Sequence, residues 1–270
     1  MMRSIGRSRG LRALSVLASA CALALTAVLS PVAPAAPAEA VDRKVTAADE
    51  AYYSRYSLAS LHAQGYTGEG VTIAVIDGHI DTSIPELRGA DIVDKSTCDV
   101  GVDAEQDEHA TFIAQLLVAP AFGVAPKATI YNYRNALSVN QGSDDCTTVW
   151  NLPTGRARTE YLIEQAINDG ADIISISSSY ADSRNSSMRW AISRATVSGV
   201  PIVASVGNDS EYNPDDELGM WGGVIGVAAL EVDGSVADYS NYGEGVTLAA
   251  IGEINGRSSI DGKHYKTSGT

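Results

Sequence analysis

The 270-residue chain is 45% hydrophobic and carries a formal net charge of −14. That hydrophobic share is ordinary for a globular protein and excludes wholesale disorder. The acidity excludes a role on nucleic acid, whose phosphates require a basic surface, and electrostatic docking on anionic lipid.

The N-terminus has the order of a secretory signal. Arg3, Arg7, Arg9 and Arg12 precede an apolar run over 11–29, and a Pro/Ala-rich stretch ends in Ala38-Glu39-Ala40. Cleavage after Ala40 is expected, so residues 1–40 read as a signal peptide and the product as secreted. Removing them takes away four of the 19 basic and one of the 33 acidic residues, leaving a net charge of −17. The alternative is an uncleaved anchor, since the apolar run is long enough to span a bilayer. Only in that case does the chain meet a membrane. In an exported protein Cys98 and Cys146 suggest one disulfide, worth about 4 kcal/mol on loop-closure entropy, with two buried thiols as the alternative. No CxxC or Cys/His cluster points to zinc.

Residues 41–67 are mixed and polar, with a short helical pattern over 56–63. They form an N-terminal segment of the mature chain, too short for an independently folding prodomain. From residue 68 apolar strands alternate with amphipathic helices. Residues 71–76 (VTIAVI) form an apolar run, as in a strand buried on both faces. A helical pattern covers 109–118, a strand 129–133 and a helix 159–169, which ends before Gly170. A strand follows over 173–177 and a helix over 187–198, which stops at Gly199. Further strands are expected over 201–205, 224–228 and 246–249. This alternation implies βαβ units, hence an α/β fold with a mostly parallel central sheet and flanking helices in three layers.

Open parallel sheets place their sites at the carboxyl ends of strands. Asp77 stands there, directly after VTIAVI, and a carboxylate ending a buried strand needs a partner or a role. Read alone, Asp77-Gly78 is also a common turn pair. His109 opens the helical pattern after Asp107-Glu108, where a lone histidine is often a surface residue. His62, His79 and His264 compete with it; His79 lies two residues past Asp77, and alternation along an extended chain points it the same way. Asn208 follows the strand PIVAS in Val206-Gly207-Asn208. The bland reading is a Gly-Asn turn, and the functional one is an amide that holds a tetrahedral oxyanion, an effect of about 3 kcal/mol.

Taken together, Asp77, His109 and Asn208 occur in that order, each at a strand or helix end. The stretches GVTIAVIDGHID, HATFIAQLL with GVAPKATIY, DIISISSS, VPIVASVGND and ADYSNYGEGVTLAAIGEI resemble the subtilisin-like serine proteases, the subtilases, over about residues 68–270. The resemblance implies a subtilisin-like peptidase domain over 68–270 that hydrolyses peptide or protein substrates through an Asp/His/Ser triad. Asp77 and His109 then belong to the triad, and Asn208 to the oxyanion hole. Ser177, Ser178 and Ser179 lie along the bound peptide, and Ser205–Gly207 beside the first specificity pocket. The family serine follows Gly-Thr and opens a long helix that fills the centre of the domain. Here Gly269-Thr270 are the last residues, so the nucleophile is expected directly after Thr270; Ser268 precedes the glycine and does not occupy its place. The resemblance departs at Gly78-His79, where the family has Ser or Thr then Gly, and at Ala110, where it has Gly. These departures, with the serine outside the sequence, keep a non-catalytic peptide-binding relative as the runner-up.

No cofactor is required by this reading. Calcium stays open, because many subtilases bind it and acidic loops occur at 103–108 and 215–217, yet no EF-hand-like ligand pattern is present. A nucleotide-binding reading of GEGVTIAVIDG lacks support, since no GxGxxG follows a strand and no GxxxxGK[ST] occurs.

Overall fold

A computed structural model describes residues 43–96, 104–135, 159–177, 186–214 and 217–270. Cys98, Cys146, Ser178 and Ser179 lie outside the described residues, as does the signal-like segment. The elements in chain order are α1 (Ala51–Arg55), α2 (Leu58–Ala63), β1 (Thr72–Asp77), β2 (Asp91–Asp94) and α3 (Ala104–Val118). They continue with β3 (Thr129–Arg134), α4 (Thr159–Asn168), β4 (Ile173–Ile176), α5 (Ser186–Ser198), β5 (Ile202–Ser205) and β6 (Ile225–Leu230). Last come β7 (Val246–Ile251), β8 (Glu253–Arg257) and β9 (His264–Ser268).

Strands β1 to β7 form one parallel sheet in the order β2-β3-β1-β4-β5-β6-β7. Strand β1 lies inside it, with Ile73 opposite Ile130 on one side and Ile173 on the other. Its side chains alternate between two cores. Ala74 and Ile76 join Leu162, Ile163, Met188 and Ile192 from α4 and α5. Ile73 and Val75 join Ala110, Ala114 and Val118 from α3. Burial on both faces explains why this strand reads as a continuous apolar run rather than an alternating one. Helices α4 and α5 stop where Gly170 and Gly199 adopt φ of +85° and +73°, which glycine enters without a side-chain clash.

The three-layer α/β architecture expected from sequence is therefore present, with local differences. The helical pattern expected over 56–63 forms only over 58–63, as α2, and Ser57, at a left-handed φ of 54°, separates it from α1. Helix α3 begins at Ala104, five residues before the expected start, so His109 lies in its second turn rather than at its opening. Glu105 and Asp107 in the first turn complement the positive end of the helix dipole and favour that earlier start. The antiparallel β8–β9 hairpin was not expected from sequence.

Polar contacts tie the N-terminal segment to that hairpin. Val45, Tyr52 and Leu58 pack with Phe122 and Ile254. The Asn255 N–H donates to Glu50 Oε2 at 3.2 Å, and Asn255 Nδ2 donates to the Asp49 carbonyl at 2.7 Å. Beside them Glu86 is buried and accepts from Arg257 Nε at 2.7 Å and from the Val45 N–H at 3.2 Å. Burial pushes the Glu86 carboxyl up, but the Arg257 and Val45 hydrogen bonds and the Arg257 charge outweigh it and hold its pKa low. Among the described residues no cation pairs with Glu50. Burial, and then the charges of Asp49 and Glu253, push it up to about 7 against the Asn255 bonds.

Two outcomes follow. Glu86→Ala strips the Arg257 guanidinium of its buried carboxylate and should cost about 3–5 kcal/mol in urea denaturation. Glu50 binds its proton more tightly folded than unfolded, so its contribution is complete below pH 4.5 and is lost as pH rises through about 7. Stability curves should therefore fall less steeply across that window for Glu50→Gln than for the wild type.

Candidate active site

The topology reverses at β1, with β3 on one side and β4 on the other, and this is where open parallel sheets bind ligands. Asp77 is the last residue of β1 and is 5% exposed. Its Oδ1 accepts the Gly78 N–H at 2.8 Å, and its carbonyl accepts the Asn135 N–H at 2.7 Å. A Cβ at residue 78 would overlap the Gln106 carbonyl, so the first turn of α3 can lie over the strand end only because Gly78 stands there. The following loop is stitched to that helix. The His79 N–H donates to Asp107 Oδ1 at 2.7 Å, and the Asp81 N–H to Thr111 Oγ1 at 3.0 Å.

This stitching brings His109 to Asp77. The imidazole Nδ1 lies 3.1 Å from Oδ1 and 2.9 Å from Oδ2. A carboxylate only accepts, so the proton is assigned to Nδ1, and Nε2 is left as the basic nitrogen. The His109 side chain is 46% exposed and lines a cavity of about 410 Å³. Burial disfavours the imidazolium, but the hydrogen bond and charge of Asp77 outweigh it and raise the His109 pKa above its ordinary value. The competing His79 is not bonded to Asp77: its buried Nδ1 has no hydrogen-bond partner among the described residues.

Strand β5 leads into Gly207 and Asn208. Gly207 has φ +94°, and a Cβ there would come within 2.8 Å of the Glu217 carboxylate and overlap the Asn241 amide. Asn241 fixes this loop by donating its N–H to the Gly207 carbonyl at 2.9 Å. Its Oδ1 accepts the N–H groups of Asp209 and Glu211 at 3.0 and 2.8 Å. Exposed Asn208 is held by Thr270, whose N–H and Oγ1 both donate to Oδ1 at 3.0 Å. A backbone N–H can only donate, so this contact sets the amide orientation and leaves Nδ2 as a donor.

Ser177 follows the last ladder pair of β4, Ile176 with Ala204, and lines the same cavity as His109 and Thr270. The cavity is mainly apolar, walled by α3 through Phe112 and Leu116 and by the ends of β4 and β5, with Glu105, Glu108 and Glu253 among its lining. Ser268 is paired with the Tyr239 hydroxyl. Among the described residues no three His, Cys, Asp or Glu side chains converge as a metal site, so no calcium ligand set is assigned. No described helix is long and apolar enough to cross a membrane. Sequence reading missed Thr270 and Asn241 as supports of Asn208. Both lay inside stretches that resemble the family, but no pattern in them showed which group they would hold.

A buried aspartate gripping a histidine at the carboxyl end of a parallel sheet defines an α/β protein equipped for proton transfer. The chain belongs to the subtilase family, whose profile (Peptidase_S8: Subtilase family) matches residues 68–270. Subtilisin E of Bacillus subtilis (strain 168) is 28% identical over 225 residues, which cover 78% of this chain and 54% of that one. Subtilisin Savinase of Lederbergia lenta is 29% identical over 222 residues, covering 78% and 74%. The chain thus spans about half the length of the first curated relatives it matches. Among solved structures, the PatG macrocyclase domain aligns with a TM-score of 0.67 at 21% identity, over 83% of this chain and 79% of that one. A cold adapted subtilisin-like serine proteinase aligns at 0.57 and 21% identity, over 76% and 71%. These structural likenesses establish the subtilisin-like fold.

Replacing Asp77 by Asn removes the charge that raises the His109 pKa. An NMR titration of the imidazole should then show the His109 midpoint moving to lower pH in Asp77→Asn. An unchanged midpoint would separate the two residues.

Proposed function

We propose that this chain carries the Asp/His/Asn machinery of a secreted serine endopeptidase. The observation that carries the reading is the Asp77–His109 contact beside the apolar cavity, with Nε2 left as the basic nitrogen. The nucleophile of this reading is a serine directly following Thr270, as the family pattern Gly-Thr-Ser places it after Gly269-Thr270.

In the reaction His109 Nε2 takes the serine hydroxyl proton as the oxygen attacks a peptide carbonyl. Asp77 keeps the second ring proton on Nδ1 and stabilises the imidazolium that forms. The carbonyl oxygen becomes an anion, and the Asn208 amide, oriented by Thr270, donates to it. His109 then returns its proton to the leaving amine, and water releases the acyl group by the same route in reverse. The substrate lies extended and pairs with the backbone at Ser177, just past the last ladder pair of β4, and the family resemblance adds Ser178 and Ser179 to that contact. The raised His109 pKa means the base is neutral only at higher pH, so the acid limb of kcat/KM should lie above the ordinary histidine value. Secretion is supported by the basic, apolar, small-residue order of residues 1–40 and by the acidity of the remainder.

The test is fluorophosphonate labelling and peptide hydrolysis with the protein made from its gene. A label on the serine after Thr270 and cleavage of an unfolded protein substrate are expected. His109→Ala should lower kcat by about 10⁶-fold, the loss already known for a subtilisin without its histidine. A product that binds peptide yet neither labels nor cleaves would instead be the non-catalytic peptide-binding relative.

A further inference from the structure

Helix α3 meets the β8–β9 hairpin along one stripe, Glu108, Phe112 and Gln115, whose spacing places them on one helix face. Glu108, next to His109, accepts the Ser258 hydroxyl. The Phe112 ring lies against Gly256, where a Cβ would come within 2.5 Å of it. Gln115 is completely buried and bonds the backbone of Arg257 in both directions. Its Oε1 accepts the Arg257 N–H at 2.8 Å, and its Nε2 donates to the Arg257 carbonyl at 3.0 Å. These are the two bonds one antiparallel strand residue offers another, so the side-chain amide stands where a third strand would lie beside β8. A third bond, Nε2 to the Thr111 carbonyl at 3.2 Å, fixes the amide to its own helix.

The hairpin is separate from the seven-stranded sheet, so no ladder of that sheet sets its position. Yet its return strand delivers the residues that reach Asn208. Glu253 pairs with Ser268, Gly269 N–H donates to the Gly252 carbonyl at 2.9 Å, and Thr270 then grips Asn208 Oδ1. The helix that carries His109 and the strand that orients Asn208 are thus joined through the α3 stripe. A directional bridge suits this task better than apolar packing, because a buried amide that slides loses its partners outright.

We propose that Gln115 is a positioning residue that fixes the β8–β9 hairpin on α3 and thereby sets Thr270 and the Asn208 amide in register with His109. The assignment of a catalytic consequence rests on the peptidase reading above, but the mechanical link does not.

Amide hydrogen exchange measured by NMR on the full chain tests it. Gln115→Met keeps the length and apolar stem but makes no bonds. It should lower protection at Arg257 and Thr270 about tenfold or more, while the Asn135 N–H, held by Asp77, keeps its protection. Gln115→Glu supplies a second measurement if the first variant folds poorly. Its carboxylate repels the Arg257 carbonyl, whereas the neutral acid both accepts and donates, so protection at Thr270 should return as pH falls. Unchanged protection of Thr270 in Gln115→Met, a uniform loss at all amides, or no recovery with pH in Gln115→Glu would overturn the proposal. In the gene-encoded enzyme Gln115→Met should reduce kcat with little change in KM and leave the His109 titration in place. If the wild type cleaves nothing, the peptidase reading fails while the exchange result still decides the role of Gln115.

Discussion

A carboxylate at the end of a strand buried on both faces is the constraint around which the rest of this molecule is arranged. Asp77 is carried to its place by four apolar residues, Ile73 to Ile76, that must be covered by helices on each side of the sheet. Its charge cannot remain unpaired at that depth. The Gly78 N–H and the His109 ring both bond its Oδ1, and the same ring nitrogen lies 2.9 Å from Oδ2. Because α3 must both cover Ile73 and Val75 and bring His109 to the carboxylate, packing and chemistry place the same demand on the helix. Its Ala110 and Ala114 satisfy the first requirement and His109 the second.

The second half of the candidate site depends on polar links rather than on the sheet. Asn208 stands on a loop secured by Asn241, and its amide is oriented by Thr270. Thr270 is held by a hairpin that rests on α3, on Glu86 and on the N-terminal segment. Glu86 and Arg257 form a buried ion pair in which each member is costly to strip of its partner. Glu50, bonded to Asn255 two residues before Arg257 on β8, sits in a contrasting environment, buried with neutral donors and acidic neighbours. The same hairpin is therefore secured by one group whose charge is stabilised and another whose charge is disfavoured, so its attachment responds to pH at the N-terminal segment more than at Glu86.

Much of the sheet was legible because burial on both faces leaves an unambiguous apolar run, as in β1, and because glycines at 170 and 199 mark helix ends. Asp77 and His109 were legible by position at element ends and by the family-like stretches around them. The hairpin was not, since EINGR and HYKTS have no period-two alternation. Their partners are Gln115, Asp49 and Glu50, distant in sequence and invisible to any local pattern. The early start of α3 was hidden for a related reason. Its first turn is acidic and polar, and what stabilises it is the dipole and the His79 loop amide on Asp107 rather than an apolar face.

The two departures from the family pattern near the candidate dyad can be understood together. Residue 78 is glycine because the Gln106 carbonyl lies where a Cβ would stand, so the strand side makes room for the helix. Residue 110 carries a methyl group, and that methyl is fully buried in the cluster formed by Val75, Ile80 and Ile130. Ala110 there fills space that a glycine would leave empty, with a better helix propensity. His79 gives its backbone N–H to Asp107 and so strengthens the junction. With Gly78 and Ala110 in place the Asp77–His109 distance is within hydrogen-bonding range. In that arrangement position 78 tolerates no side chain, whereas position 110 accepts a methyl, so the two sites constrain the dyad in opposite senses.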